Sequence, residues 1–487
     1  MVMRVGGIVS GMDIEAMVKK LMEAERMPLD RMKQQQTILE WKRDAFREIN
    51  STFLELDNMM LDMKMSYTYK PKSANSSNES AITAIANSNA PNGSYDIEVT
   101  QLAKNEMQIA SVNLDANLEN FIGEHEFITY DKAGEEQRHT FEVREGDTLQ
   151  QVLKRITDDT GNNVRAFFDE STNQVVFETS RTGIYNTQDK NDGSEIYFGS
   201  ENNEFFTTFL NFDPSKKSSA ENATFMYNNG LNLKSVDNSY TLNGVTFDFK
   251  ATGTSRITVD TDVDTAFNSI MKFVDKYNEA IDKLNKSQTE ERFRDFQPLS
   301  DEQKEEMTEK QIEKWEEKAK SGLLRGESVL RDGMYSLRGS LQGVVETSGE
   351  YKLLSHIGIS TTENYLDGGK LKVDEKKLKE ALRDNPDDVY KLFVGDGEEK
   401  GLIHRFEATV DRVKGQIEEQ AGKSTHTLDN YTIGKRMKEL NERISDFEKR
   451  MIQVEQRYWN QFTQMEKAIS RLNQQSSYLF SQFGGGM

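Results

Sequence analysis

The sequence predicts an α+β multidomain chain, with coiled-coil helices at both termini, a helical bundle layer inside them, and β-rich inserted domains in the middle of the chain. Three observations carry this prediction. Apolar heptads run near both ends, the pattern changes to period-two alternation between about residues 66 and 264, and helical spacing returns after it.

The terminal helices come first. Ile433, Met437, Leu440, Ile444, Phe447, Met451, Val454 and Tyr458 recur in alternating steps of four and three, the seam of a coiled coil. Tyr458 to Phe462 is a second step of four in succession, a stutter that locally unwinds a left-handed supercoil. Met465, Ile469, Leu472, Ser476, Leu479 and Phe483 then resume the pattern, and Gly484 to Gly486 end it. A helix over about 430–482 reaches roughly 80 Å at 1.5 Å per residue, more than one ordinary domain demands. Near the other end, Met32, Leu39, Phe46, Phe53 and Met60 recur every seven residues, with Ile49, Leu56 and Met63 in the complementary position. Gln35 and Lys42 hold that second position earlier, so the seam is weak at its start and strong from Phe46 onward. Ahead of it, "SGMDIEAMVKKLMEAERMP" reads as a shorter amphipathic helix that ends or kinks near Pro28, with Ser10 and Asp13 spaced as a capping box. The two terminal stripes are expected to pack on each other or on other subunits.

In the middle, "GSYDIEVTQLA" and "YTLNGVTFDFK" alternate as strands do. "FITYDKAGEEQRHTFEV" reads as a hairpin, "TLQQVLKRITDDTG" as a short helix with Leu149, Val152, Leu153 and Ile156 on one face, and "VRAFFDESTNQVVFETS" as a second hairpin turning through Asp169 to Asn173. This predicts a strand-strand-helix-strand-strand unit at about 121–183, followed by a polar, irregular stretch at about 184–225 with no firm strand assignment. Helices return with Phe267, Ile270, Val274, Tyr277, Ile281 and Leu284 on one face. Ile312, Trp315, Ala319 and Leu323 line a second, whose Glu306 to Lys310 and Glu316 to Lys320 spacings support an exposed opposite side. Ile403, Phe406, Val410, Val413 and Ile417 line a third.

Composition narrows the function. The 487 residues leave room for roughly three domains. The chain is 35 % hydrophobic and 30 % charged with only 6 prolines, which suits long exposed helices better than one globule. A net charge of -20 argues against nucleic acid or an anionic membrane surface and favours protein partners. No window approaches the 18 or so apolar residues of a membrane span. The first residues lack the order of a cleavable secretory signal, which leaves the cytoplasm or an export route that keeps the N-terminus intact. With no cysteine, disulfides, thiolate metal sites and thiol catalysis are excluded.

No catalytic, cofactor or metal constellation emerges. His125, His139, His356, His404 and His426 are scattered without metal-ligand spacing. Asp260, Asp262 and Asp264 suggest a calcium loop, but Thr265 stands where the turn needs Gly and Met271 where a bidentate Glu belongs. A strand running into a helix N-terminus explains them better. "GIVSG" misplaces Ser10 for a nucleophile elbow, and "GDGEEKG" has the wrong glycine spacing for a phosphate loop. Methionines on the seams, such as Met32, Met60, Met437, Met451 and Met465, read as core filling or as adaptable contacts at interfaces that repack.

"GIVSGMDIEAMVKKLMEAERMPLDRMKQQQTILEWKRDAFREIN" closely resembles the N-terminal signature of the flagellar filament cap family, the hook-associated protein 2 (FliD) proteins. "PLSDEQKEEMTEKQIEKWEEKAKSGLLRGESVL", "HIGISTTENYLDGGKLKVDEKKLKEALRDNPDDVYKLF" and "RYWNQFTQMEKAISRLNQQSSYLFSQF" resemble later parts of the same family. The unit near 121–183 is similar to the β-rich repeat of flagellins and hook-associated proteins. The resemblance implies a non-enzymatic assembly factor without a cofactor, located outside the cell at the filament tip. It would be exported by the flagellar type III route, with a chaperone before secretion, and would form a homo-oligomeric ring, a pentamer in the usual picture, that promotes insertion of flagellin. A tip adhesin that binds host or surface polymers through the outer domain is the alternative, and a hydrolase hidden in the β-rich insertion is a remote one. The expected domains are terminal coiled-coil leg segments at 1–42 and 430–487, and a helix-rich leg domain at 43–70 and 265–429. An inner β-rich domain follows at 71–115 and 235–264, and an outer, variable head at 116–234. The residues expected to dock on other subunits or the filament are Phe46, Ile49, Phe53, Leu56, Tyr458, Phe462, Met465, Ile469, Leu472, Leu479 and Phe483.

Overall fold

The computed structural model describes residues 12–188, 190–199, 203–397 and 399–483, with side chains described as far as residue 480. Ser10, the Phe483 side chain and Gly484 to Gly486 lie outside the described residues. In chain order the elements begin with α1 (Ile14–Met63), β1 (Lys72–Ser76), β2 (Ile82–Ala86), β3 (Gly93–Gln101), β4 (Met107–Ser111), β5 (Gly123–Tyr130), β6 (Glu136–Val143) and α2 (Leu149–Asp159). There follow β7 (Val164–Asp169), β8 (Gln174–Thr179), β9 (Ile196–Tyr197), β10 (Phe212–Ser218), β11 (Ala223–Tyr227), β12 (Leu231–Ser235), β13 (Ser239–Leu242), β14 (Val245–Phe249) and β15 (Gly253–Thr261). The chain then forms α3 (Val263–Thr289), α4 (Asp301–Glu305), α5 (Glu309–Lys320), α6 (Ser328–Gln342), β16 (Ile359–Thr361) and β17 (Leu371–Val373). It ends with α7 (Glu375–Asp384), α8 (Pro386–Val394), α9 (Leu402–Ala421) and α10 (Thr432–Phe483). Two compact units result, one from Met1–Tyr69 with Phe267–Met487 and one from Lys70–Ala266.

The helical unit is built around α9. Its Ile403, Phe406, Val410, Val413 and Ile417 are buried, as the spacing predicts, and α1 and α6 both pack on it. From α1 come Phe46, Ile49, Phe53, Leu56 and Met60, and from α3 come Ile270, Val274, Tyr277, Ile281 and Leu284, all buried. Phe406 meets Phe273 edge-on at 5.5 Å and Tyr277 at 5.9 Å. Gly333 of α6 lets the backbone approach α9, because a Cβ there would lie 2.9 Å from Val413 Cγ1. The turn out of α9 is held by α1: Arg47 donates to the carbonyls of Ala421, Gly422 and Lys423 at 2.9 to 3.1 Å. Gly422 has a φ of +66° and faces the Tyr431 ring, so a side chain would be both strained and obstructed.

Two local expectations are corrected in this unit. The helix does not end or kink as a separate element at Pro28, which lies inside α1. Pro28 is exposed and Leu29 beside it is buried, so packing holds the helix across the missing N–H. At its start Asp13 itself caps, accepting from the Ala16 N–H at 2.9 Å. Glu306 and Lys310 do not share a helix: Glu306 ends α4, and Thr308 caps α5, where Glu316 and Lys320 do pair at 3.4 Å.

The β-rich unit has two cores. In the first, sheet β1-β15-β3-β11-β12 and sheet β13-β14-β2 bury Ile82, Ile97, Val99, Phe225, Val245, Phe247 and Ile257. The second lies between sheets β10-β4-β8-β7 and β6-β5-β9, with α2 supplying Val152, Leu153 and Ile156. The predicted strand, strand, helix, strand, strand order is present from β5 to β8, but its two hairpins belong to different sheets. Sheet membership also departs from the boundaries expected at 115/116 and 234/235. β4 pairs with β8 in the second core, and β11 and β12 join β3 in the first. A strand chooses its partner by non-local packing, which alternation along one segment does not encode. The stretch read as polar and irregular supplies Phe205, Phe206, Phe209 and Leu210, all buried in the second core, through a single π-helical turn.

Two carboxylates are buried where this stretch meets the sheet. Glu106 accepts from the backbone N–H groups of Glu195 and Ile196 at 2.9 and 3.1 Å. Glu195 Oε1 accepts from the N–H groups of Tyr185 and Asn186, both at 2.8 Å, while its Oε2 is buried with no hydrogen-bond partner. Burial first, and then the Glu106 charge, hold the Glu195 carboxyl above its ordinary 4.5 despite those two bonds. Folding therefore favours its protonated form: that contribution is complete below about pH 4.5 and is lost as pH rises through the higher folded value. Glu195→Gln should thus gain stability relative to wild type as pH rises from 4.5 to 7, measured by hydrogen exchange at the Tyr185 and Asn186 amides. A difference that does not change with pH would contradict this.

Candidate functional site

Helix α10 is 52 residues long, about 78 Å at 1.5 Å per residue, and its two ends have different surroundings. In the proximal half Ile433, Met437, Leu440, Ile444 and Met451 are buried. Leu440 and Ile444 form a cluster with Leu29, flanked by Met32, Leu39 and Phe447, so the two terminal stripes pack on each other. Lys33 pairs with Glu448 at 3.1 Å, and the Tyr458 hydroxyl donates to Glu25 at 2.9 Å. As the α1 number falls the α10 number rises, so the helices run antiparallel. Lys42, which breaks the predicted heptad, is an ion-pair partner of Glu327 instead.

Beyond Tyr458 the burial fades. Tyr458, Phe462 and Ile469 are half-buried, whereas Met465, Leu472 and Leu479 are 38, 63 and 52 % exposed, and Phe480 beside them is 78 % exposed. Covering a leucine of this kind is worth about 1.5–3 kcal/mol. Several in one row therefore make a surface that gains by association. The four residues nominated from the N-terminal seam lie elsewhere. Phe46, Ile49, Phe53 and Leu56 are at most 6 % exposed and belong to the core of the helical unit, where they present no surface to a partner. A second exposed apolar set, Leu54 and Leu61 on the same helix and Met65 just beyond its end, has the spacing of seven and four in the sequence but lies outside the predicted seam.

No reactive constellation appears among the described residues, and no group of three His, Cys, Asp or Glu side chains is placed to hold a metal ion. Asp262 caps α3, accepting from the Thr265 N–H and hydroxyl at 2.9 and 2.7 Å. His139 stacks on Phe127 and bonds Thr129, and burial holds its pKa below 6.5 despite the nearby Asp159. His125 bonds the Phe121 carbonyl at 2.8 Å, while His356 and His426 accept from the N–H groups of Lys352 and Lys423. His404 lies 4.0 Å from Glu407. What the site offers is an apolar, mostly amide- and hydroxyl-flanked helix face suited to binding.

Residues 10–106 match the family model for the N-terminus of flagellar hook-associated protein 2, and residues 220–474 match that for its C-terminus. The flagellar hook-associated protein 2 of Halalkalibacterium halodurans is 32 % identical over 529 residues, covering 98 % of this chain and 99 % of that protein. The chain belongs to the flagellar hook-associated protein 2 family. The A-type flagellar hook-associated protein 2 of Pseudomonas aeruginosa is 25 % identical across 97 % of this chain and 95 % of its own length. A crystal structure of the D1-D2-D3 domains of the flagellar cap protein FliD from Escherichia coli is similar in fold. Its TM-score is 0.55 at 21 % identity, over 78 % of this chain and 97 % of that one. The α+β multidomain architecture expected from the sequence is thus the family's.

Among the nominated residues, core and surface separate by measurement. Phe53→Ala should cost about 3–5 kcal/mol in denaturant unfolding followed by circular dichroism. Leu472→Asp should stay within about 0.5 kcal/mol of wild type. Comparable losses in both would place Leu472 in a core.

Proposed function

We propose that this protein caps the distal end of a bacterial flagellar filament, as an oligomeric ring under which incoming flagellin is inserted and polymerised. The observation that carries the reading is the exposed apolar row of α10, Met465, Leu472 and Leu479, in a chain of the hook-associated protein 2 family. A helix that keeps such a row at the surface gains free energy only when another chain covers it. The role is mechanical: helical legs bind by the distal end of α10 and the β-rich unit forms the plate. Each leg contact is small, so it can break and re-form as a subunit enters. The protein acts outside the cell at the filament tip, reaches it by the flagellar export route after release from a chaperone, and works with itself and with flagellin. A pentamer is the expected ring.

Phe462→Asp combined with Leu479→Asp should shorten filaments severely and release unpolymerised flagellin into the medium. Circular dichroism of the purified variant should match wild type. Filaments of normal length in cells carrying only this variant would sink the proposal.

A further inference from the structure

The outward face of α1 carries Leu54 and Leu61, 48 and 58 % exposed and one heptad apart, and Met65, 46 % exposed, follows two residues beyond the helix end. Along the adjacent row Glu48, Glu55 and Asp62 recur every seven residues, all exposed. Glu55 is paired with Lys276, and Asp62 accepts the neutral Tyr67 hydroxyl. The distal part of α10 has the same layout with the opposite sign. Its row of Tyr458, Met465, Leu472 and Leu479 is flanked, one position ahead, by Arg457 and Arg471. From Arg457 to Phe483 the charged residues are Arg457, Lys467 and Arg471 against Glu466 alone, in a chain whose net charge is -20. Glu48 to Asp62 and Arg457 to Arg471 are both fourteen-residue intervals, about 21 Å of helix each.

These two faces cannot meet within one chain. Leu29 and Ile444 share a cluster in the antiparallel pair of α1 and α10. From there Leu61 lies about 48 Å along α1 in one direction and Leu472 about 42 Å along α10 in the other. Some 90 Å therefore separates them, so only a second copy can join them.

We propose that the Met465 to Leu479 face of α10 docks on Leu54 and Leu61 of α1, and on Met65 just past the end of that helix, in a second copy of this chain, with Arg457 and Arg471 against Glu48 and Asp62. The inference rests on α10 being the assembly surface, and it names the partner. Each copy offers one face of each kind, so the contact is head-to-tail, and such contacts close into a ring when their rotation permits. The charges lie at the rim, where they set register and make association salt-sensitive.

Because the chain has no cysteine, single Cys variants report the contact cleanly. Leu61→Cys and Leu472→Cys proteins, each full-length and purified without flagellin, are mixed and treated with a short bismaleimide. Cross-linked dimers should form in the mixture several-fold more than in either protein alone, and less at high salt. Glu48→Lys with Asp62→Lys in the first protein should reduce the yield, and Arg457→Glu with Arg471→Glu in the second should restore it. Overturning results are equal or greater cross-linking within Leu472→Cys alone, or no mixed dimer up to the solubility limit. If mixed dimers are absent while Phe462→Asp with Leu479→Asp still stops filament growth, the α10 face serves the filament, and the capping role stands without this contact.

Discussion

Arg47 takes the carbonyl of Ala421 at the end of α9 and those of Gly422 and Lys423 in the turn beyond it, and the course of both terminal helices depends on that interaction. Arg47 sits between the buried Phe46 and Ile49 on α1, so the three acceptors of Ala421, Gly422 and Lys423 are tied to a turn of α1 packed into the unit's core. With Gly422 turning the chain against Tyr431, α10 starts beside the middle of α1 and runs back along its N-terminal half. Had α10 left α9 in another direction, Leu440 and Ile444 would have no Leu29 to meet.

That arrangement divides α1 between two partners. From Phe46 to Met60 it is a core helix of the bundle, while around Leu29 it is one strand of a two-helix seam. The seam is thin: its centre is three buried side chains with a few half-buried ones around them, supported by exposed pairs such as Lys33 with Glu448 that contribute a few tenths of a kcal/mol to about 1 kcal/mol. A two-helix seam made this way separates more readily than the bundle that carries it. The gradient in burial along α10 is therefore a gradient in local stability, from the Arg47 turn outward.

Helical elements were legible where one face is buried, because the period of 3.6 then records the contact directly. The five α9 positions and the seam from Ile433 to Ile444 were read in this way. The candidate site was legible in part. The α10 row was visible as periodicity, but periodicity alone does not say whether a stripe is covered, and Phe46 and Leu472 look alike in sequence. The β-rich unit was harder for two reasons. Partner choice between β4 and β8, or β11 and β3, joins segments about 70 and 125 residues apart, and nothing local specifies it. The run "EFFTTFLNF" buries its aromatics through one tight turn that belongs to neither the strand nor the helix period. Pro28 shows the remaining kind of discrepancy, a strong local breaker overruled by the packing of its neighbour.

The pairing of β1 with β15 has a consequence for how such chains diversify. Lys72 stands opposite Thr261 and Ser76 opposite Ile257, so the segment that leads into the β-rich unit and the one that leads out of it are hydrogen-bonded neighbours, about 5 Å apart. A unit whose two ends are zipped together at its base works as a cassette. Recombination can lengthen, shorten or exchange what lies between β1 and β15, because their pairing fixes the spacing of the two chain segments that enter and leave the unit.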